Sequence, residues 1–507
     1  MISRISTIAF QGIKGIPVDV QVMVSPGRVG IQIVGLPDKA VIESRERIQA
    51  ALYACGLALP NKRITINLAP ADLPKEGSHF DLPIILALMA SIQAIHGESL
   101  SCYLAVGEIN LDGSLAAING TLPAAICAQN LKKSLICPKA CGPEAAWAAD
   151  TLDIIAPANL LELKNHLNKK QLIARPLRSE YKKQDNLPNL SEIKGQKTIK
   201  RALEIAAAGR HNLLMIGPPG SGKSMLASCL PSILPPLSLE ESLEVSMIYS
   251  ISGKFMYESF CIQDRPFRTP HHSATTASLV GGGARALPGE ASLAHNGILF
   301  LDELPEFSPH TLDALRQPLE TGECIIARAN RKVRYPARIQ FIAAMNPCRC
   351  GMARKDHNIC IRGPRCAIEY QSRISGPLLD RIDIHIEVPS VPTIDLFSHN
   401  QSECSTIVAS RILLAQQKQQ QRLKKLGASI AYNADCSPSI IEKIALLDSE
   451  SNALLLQVAE KMLFSARGYH KILKISRTIA DLDSSETIRK IHIAEAIAYR
   501  QFISANK

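Results

Sequence analysis

The stretch NLLMIGPPGSGKS, residues 212–224, decides the reading of this chain. Four apolar residues, Leu213 to Ile216, predict a short buried strand. A glycine-rich turn follows, Gly217-Pro218-Pro219-Gly220-Ser221-Gly222, and then Lys223-Ser224 at the head of a predicted helix. The spacing is that of G-x-x-x-x-G-K-[ST]. Its glycines let backbone N–H groups close around phosphate oxygens, and the helix N-terminus adds partial positive charge at the same place. Lys223 is expected to reach the β- and γ-phosphates of a nucleoside triphosphate such as ATP, and Ser224 to hold Mg²⁺.

Such a loop needs an acidic strand beside it. Gly297-Ile-Leu-Phe-Leu-Asp302-Glu303 supplies one, with two carboxylates at its carboxyl end, where ligands bind in parallel sheets. Asp302 would orient the Mg²⁺ shell and Glu303 would polarise the attacking water. A third apolar run, from Arg338 to Met345, ends in Asn346-Pro347. That asparagine can bridge the attacking water and the γ-phosphate, or serve only to start a turn, as Asn-Pro often does. From 190 to 392, buried strands alternate with helices, which predicts a parallel α/β sheet.

The remainder is organised around this core. The 507 residues predict about three domains. Residues 1–163 mix strand-like and helical runs as an α+β domain, and 393–507 read as helical. Between them, 164–189 are polar and basic. From Lys164 to Arg201 there are 11 Lys/Arg against 3 acids, a local charge of +8 within a chain of +11. That segment is either a solvated linker or a surface facing a polyanion. At 46% hydrophobic and 20% charged the chain is neither disordered nor fibrous. At 4% aromatic, base stacking is not its main binding device. The longest apolar run, Leu82 to Ile95, is too short to span a bilayer, and the first residues lack a signal core. A cytoplasmic protein without a membrane partner is expected, so its 14 cysteines are thiols or metal ligands.

Two clusters outside the phosphate loop invite chemistry. Cys348, Cys350, Cys360 and Cys366 fall within 19 residues, close enough for four thiolates to hold a tetrahedral Zn²⁺. Their spacing departs from paired CxxC knuckles, which leaves plain free thiols as the alternative. The segment from Cys324 to Arg338 reads as a β-hairpin with a basic end, Arg328, Arg331, Lys332 and Arg334. Such an end can grip phosphates without reading bases, or can be a solvated edge.

With Leu378-Leu-Asp-Arg381-Ile-Asp383 added, these motifs resemble AAA+ ATPases of the magnesium-chelatase/MCM-like branch. The strings RPFRTPHHS (265–273), PGEASLAHNGILFLDELPEF (288–307) and SARGYHKILKISRTIADL (465–482) resemble the YifB/ComM family of that branch. The resemblance implies a multidomain α/β protein: a Lon-protease-like first domain, an AAA+ core and a C-terminal helical lid. It implies Asn346 as sensor 1, Arg381 as an arginine finger acting on a neighbouring subunit, and Arg467 as sensor 2, with Arg477 the other choice. A residue acting in trans implies a homo-oligomeric ring, a hexamer in this family. The hairpin before Asn346 would then line the ring and touch DNA. The family is linked to natural transformation and recombination, as helicase-type motors driving branch migration on single-stranded or branched DNA alongside recombination proteins. A chelatase motor subunit and a nucleotide-switched scaffold are the other readings. In the Lon-like domain, His79 occupies the place of the serine nucleophile and residues 118–122 lack the paired lysine, so a non-proteolytic module is expected. His271 and His272 belong to the family signature but carry no derivable chemistry.

Overall fold

The computed structural model describes residues 2–178, 187–255, 262–283, 285–328, 331–351, 360, 364–391, 403–428, 430–461 and 465–500. The chain divides into two compact units. The first comprises Met1–Lys182, Ser238–Gln263 and Ala327–Tyr335; the second comprises Lys183–Leu237, Asp264–Ile326 and Pro336–Lys507. Among the described residues no helix is long and apolar enough to cross a membrane.

In the first unit the strands are β1 (Ile2–Gln11), β2 (Lys14–Ser25), β3 (Gly30–Val34), β4 (Arg63–Ala69), β5 (Tyr103–Ala105), β6 (Glu108–Ile109), β7 (Leu115–Ala116), β8 (Ser134–Ile136) and β9 (Ile154–Ile155). Seven of them form one sheet in the order β3-β4-β2-β1-β5-β8-β9, and β6 pairs with β7 apart from it. β1 and β2 are antiparallel in a long ribbon, Ile5 facing Val20 and Gln11 facing Lys14. Alternation in β2 buries Val18, Val20 and Val22 and exposes Asp19, as a half-covered strand should. The run considered for a membrane span begins instead as the helix Asp81–Ser91, buried from Asp81 to Ala90. Its one buried acid is paired: Arg47 Nε donates to Asp81 Oδ2 at 2.7 Å, and Ser44 donates to Oδ1. The sequence between 170 and 178 packs on this unit too, with Arg178 bridging Asp150 at 2.7 Å and lying 5.4 Å from the Trp147 ring.

The second unit holds β10 (Leu213–Ile216), β11 (Phe267–Arg268), β12 (Ile298–Leu301), the hairpin strands β13 (Glu323–Arg328) and β14 (Arg331–Pro336), then β15 (Gln340–Met345) and β16 (Ile384–Glu387). The outer part of the hairpin groups with the first unit, where Arg334 lies against Gly12 at the β1–β2 turn. The main sheet is parallel throughout, in the order β11-β12-β15-β10-β16. β10, β12 and β15 are buried at every residue, because helices cover both faces; this is why each reads as a continuous apolar run. In register, Ile216 faces Met345 and Leu301 faces Ala343, so three strands end side by side. The C-terminal helices Ser405–Lys425, Pro438–Ile444, Ala466–Leu482 and Lys490–Ala498 share a single core with the sheet, in which Ile199, Met215, Ile342, Ile412, Ile472 and Ile493 all take part. The expected α/β architecture with a parallel-sheet core is the one observed.

Candidate nucleotide site

The site is built at the carboxyl ends of β10, β12 and β15, where strand order doubles back and a crevice opens. After β10 the chain turns through Gly220 and Gly222, whose φ values of +74° and +82° favour glycine, and enters the helix Lys223–Ser228. Lys223 is buried. Its ammonium donates to the carbonyls of Gly217 and Pro218, both at 2.8 Å, and to Asn346 Oδ1 at 3.2 Å. Burial pushes its pKa below the ordinary lysine value, while Asp302 and Glu303 pull it up. Ser224 Oγ donates to Asp302 Oδ2 at 2.5 Å. The Glu303 amide donates to Asp302 Oδ1 at 2.9 Å, and Glu303 itself is held in the left-handed region at φ +49°. A non-glycine residue there is strained, and such strain gathers at functional positions.

Together these residues line a cleft of about 350 Å³, formed by the loop from Pro219 to Met225 with Asp302, Glu303, Met345 and Asn346. The structure therefore brings together Lys223, Ser224, Asp302, Glu303 and Asn346. A serine hydroxyl beside a carboxylate is a hard oxygen donor set, which fits Mg²⁺.

Arg381 and Arg467 are not among the cleft's lining residues. Arg381 Nη2 donates to Glu320 Oε2 at 2.5 Å and Nη1 to the Pro377 carbonyl at 2.7 Å, on a second concavity of about 490 Å³ with Asp313, Arg316 and Gln317. Hydrogen bonding and charge from Arg381 hold Glu320 below the usual carboxylate range, and Arg467 adds to the effect from the exposed start of its helix. The two arginines thus share one surface. Arg477 is a core residue: 2% exposed, it donates to Asp481 Oδ1 at 2.9 Å and to the Ser485 and Glu486 carbonyls. Asn212, just before β10, ties the backbone at Arg381 to the sheet. Its side chain donates to the Arg381 carbonyl at 3.0 Å and accepts from the β15 residue Phe341 at 2.9 Å, while its amide donates to Asp383 at 3.2 Å.

His272, to which the sequence alone assigns no chemistry, lies beside Glu303. Its Nδ1 lies 3.9 Å from Glu303 Oε2, with the His271 ring centroid 4.0 Å from its own. The only signal was the His-His pair itself, upstream of the acidic strand. In the hairpin, Lys332 and Arg334 are exposed; the side chains of Arg328 and Arg331 lie outside the described ones. The four cysteines do converge, with all four sulfurs within 4.8 Å of one another, and could hold a metal ion. In the first unit, His79 is a core histidine. Its Nε2 faces the Ile8 carbonyl at 2.9 Å, its ring packs between Phe10 and Phe80, and burial pushes its pKa down to about 4. Ser78 donates to Glu108, and Lys75 donates to the Pro70 carbonyl, so among the described residues these two do not pair.

The chain is similar to known proteins over nearly its whole length. Residues 189–396 match the family described as magnesium chelatase, subunit ChlI; residues 20–141 match subunit ChlI of Mg-chelatase, and 402–500 its C-terminal part. The chain is 42% identical to YifB of Salmonella typhimurium over 497 residues, covering 98% of this chain and 96% of that one. It is also 42% identical to the competence protein ComM of Haemophilus influenzae over 504 residues, with the same coverage. A magnesium-chelatase 38 kDa subunit of Rhodobacter capsulatus is 28% identical over 173 residues, 31% of this chain and 49% of that one. The chain belongs to the YifB/ComM family of magnesium-chelatase-like proteins.

Proposed function

We propose that this chain is an ATP-hydrolysing motor that assembles as a ring, binds DNA and remodels it, in the manner of a branch-migration helicase serving transformation or recombination. One observation carries the reading: Lys223, the Ser224–Asp302 pair, Glu303 and Asn346 meet in one cleft at the carboxyl end of a parallel sheet. Lys223, already aimed into the loop, exchanges its carbonyl partners for phosphate oxygens. Ser224 and Asp302 are the residues that would hold Mg²⁺, which when bound neutralises phosphate charge. Glu303 accepts the proton of the attacking water. Asn346 keeps its amide NH₂ group available to orient that water. Arg381, which faces a different surface from its own cleft, stabilises the charge on a neighbour's transferring phosphoryl group, an effect on the order of 10³–10⁵ in rate in other NTPases. Lys332 and Arg334 grip phosphates from the hairpin, and the four cysteines form a structural zinc site.

The relative named for competence supports the DNA reading over nearly the whole chain. A chelatase motor is the second reading, favoured by the shorter match to the 38 kDa subunit. The test is ATPase rate with and without a labelled Holliday junction, beside Lys223→Ala. Turnover stimulated by the junction, with strand displacement lost in the variant, is expected. Turnover indifferent to every DNA would refute the motor reading.

A further inference from the structure

We propose that Cys348, Cys350, Cys360 and Cys366 bind one zinc ion that fixes the turn from Cys348 to Gly351 against Pro219, so that metal occupancy sets the nucleotide affinity of the cleft. This rests on the ATP reading and adds a second ligand on which that site depends.

The sulfur geometry is that of a ligand set. Cys348 Sγ lies 3.2 Å from Cys350 Sγ, which lies 3.3 Å from Cys360 Sγ, and all four are within 4.8 Å of one another. Thiolates about 2.3 Å from a tetrahedral zinc stand about 3.8 Å apart, inside that range. No disulfide joins the described cysteines. Thiols are weak hydrogen-bond donors, so their mutual contacts alone return little for the chain entropy of gathering four of them. Cys348, Cys360 and Cys366 are buried while Cys350 is exposed, which gives the ion a path in.

The coupling follows from what the ligands are attached to. Cys348 comes two residues after Asn346, whose side chain holds Lys223. The turn closes with the Gly351 amide donating to the Cys348 carbonyl at 3.0 Å. Gly351 has φ +75° and leaves no room for a side chain beside Pro219: a Cβ there would stand 2.5 Å from Pro219 Cδ and 2.6 Å from Cγ. Pro219 lines the nucleotide cleft. Cys366 sits on the helix Pro364–Gln371, whose Gln371 donates to the Pro347 carbonyl at 2.9 Å. One ion would therefore join the polar end of β15, the phosphate loop and the helix that leads towards Arg381.

The experiment uses the full chain. Elemental analysis should find about one zinc per chain, and less than about half an equivalent, or iron in its place, would overturn the metal site. Zinc is then released with an organomercurial and chelator, and binding of a fluorescent ATP analogue is titrated while circular dichroism reports secondary structure. Affinity should fall by about tenfold or more and return when zinc is restored. Unchanged affinity in zinc-free protein would overturn the coupling. Gly351→Ala provides an arm that does not depend on surviving metal removal: it keeps all four thiols but drives a methyl group into Pro219. Its zinc content should match wild type while its nucleotide affinity falls, and undiminished affinity would again overturn the coupling. Wild type that carries zinc yet never binds the analogue would refute the ATP reading and the coupling with it, leaving the metal count intact.

Discussion

Lys223→Met is expected to abolish nucleotide binding and yet leave the ligand-free fold about as stable as before. Lys223 is 8% exposed and its pKa is depressed by burial, so the native state bears a desolvation cost for its charge. Against that stand donations to Gly217, Pro218 and Asn346. Methionine keeps the stem and removes the charge. The freed acceptors border an open cleft, where water can take the lysine's place. Returned desolvation and lost hydrogen bonds are each on the order of 1–2 kcal/mol and opposite in sign, so the net falls within about 1 kcal/mol. For a domain of this size that is about 2 °C. Wild type saturated at roughly a hundred times its Kd gains about 2.7 kcal/mol from the ligand, or about 5 °C. Calorimetric melts with and without Mg-ATP read both numbers on the transition of the second unit. A variant that keeps the ATP-induced rise would refute the placement of phosphate at Lys223. A ligand-free melting point lower by more than about 5 °C would refute the balance of terms.

Four further outcomes are expected. Glu303→Gln should lower kcat by about 10²-fold or more with nucleotide affinity held within about threefold, measured by turnover and equilibrium binding. Arg381→Ala subunits mixed with Lys223→Ala subunits should recover ATPase activity that neither has alone, and a mixture as inactive as its parts would argue against action in trans. The double variant Lys332→Ala/Arg334→Ala should lower DNA affinity for every sequence and reduce the slope of log K against log[salt] by about 2 in fluorescence anisotropy. Glu144, buried where it accepts from Leu122 and Ser250, has its pKa pushed up by burial to about 7 from 4.5. Because the unfolded chain ionises first, its contribution to stability declines as pH rises from about 4.5 to about 7 and is constant above, a loss of at most about 3 kcal/mol. Glu144→Gln keeps an acceptor at that position and should flatten the dependence in melts between pH 4 and 8.

The convergence of residues at the candidate nucleotide site was legible because its information is local. Strands covered on both faces must be apolar throughout, so Leu213–Ile216 and Ile298–Leu301 announce themselves, and the groups that matter are the next residues in the chain. Contacts made across the sequence were not legible. Gln416 and Gln419 read as a polar helix face, yet both are buried, donating to the carbonyls of Ala207 and Ala208. Those carbonyls end the helix Lys197–Gly209 and need partners, a demand invisible from the glutamines' own neighbourhood. Likewise 238–263 and the outer hairpin are interleaved in sequence with the strands of the parallel sheet but group with the first unit. The thiol cluster shows the same limit from the other side: irregular spacing left it open, and only folding brings the sulfurs together.

The amide of Asn212 has a mechanical corollary. Through one small side chain the backbone at Arg381 is pinned to the strand that feeds the phosphate loop and to the strand that ends in Asn346. A shift of either strand end is therefore passed to the backbone at Arg381 through a single amide group.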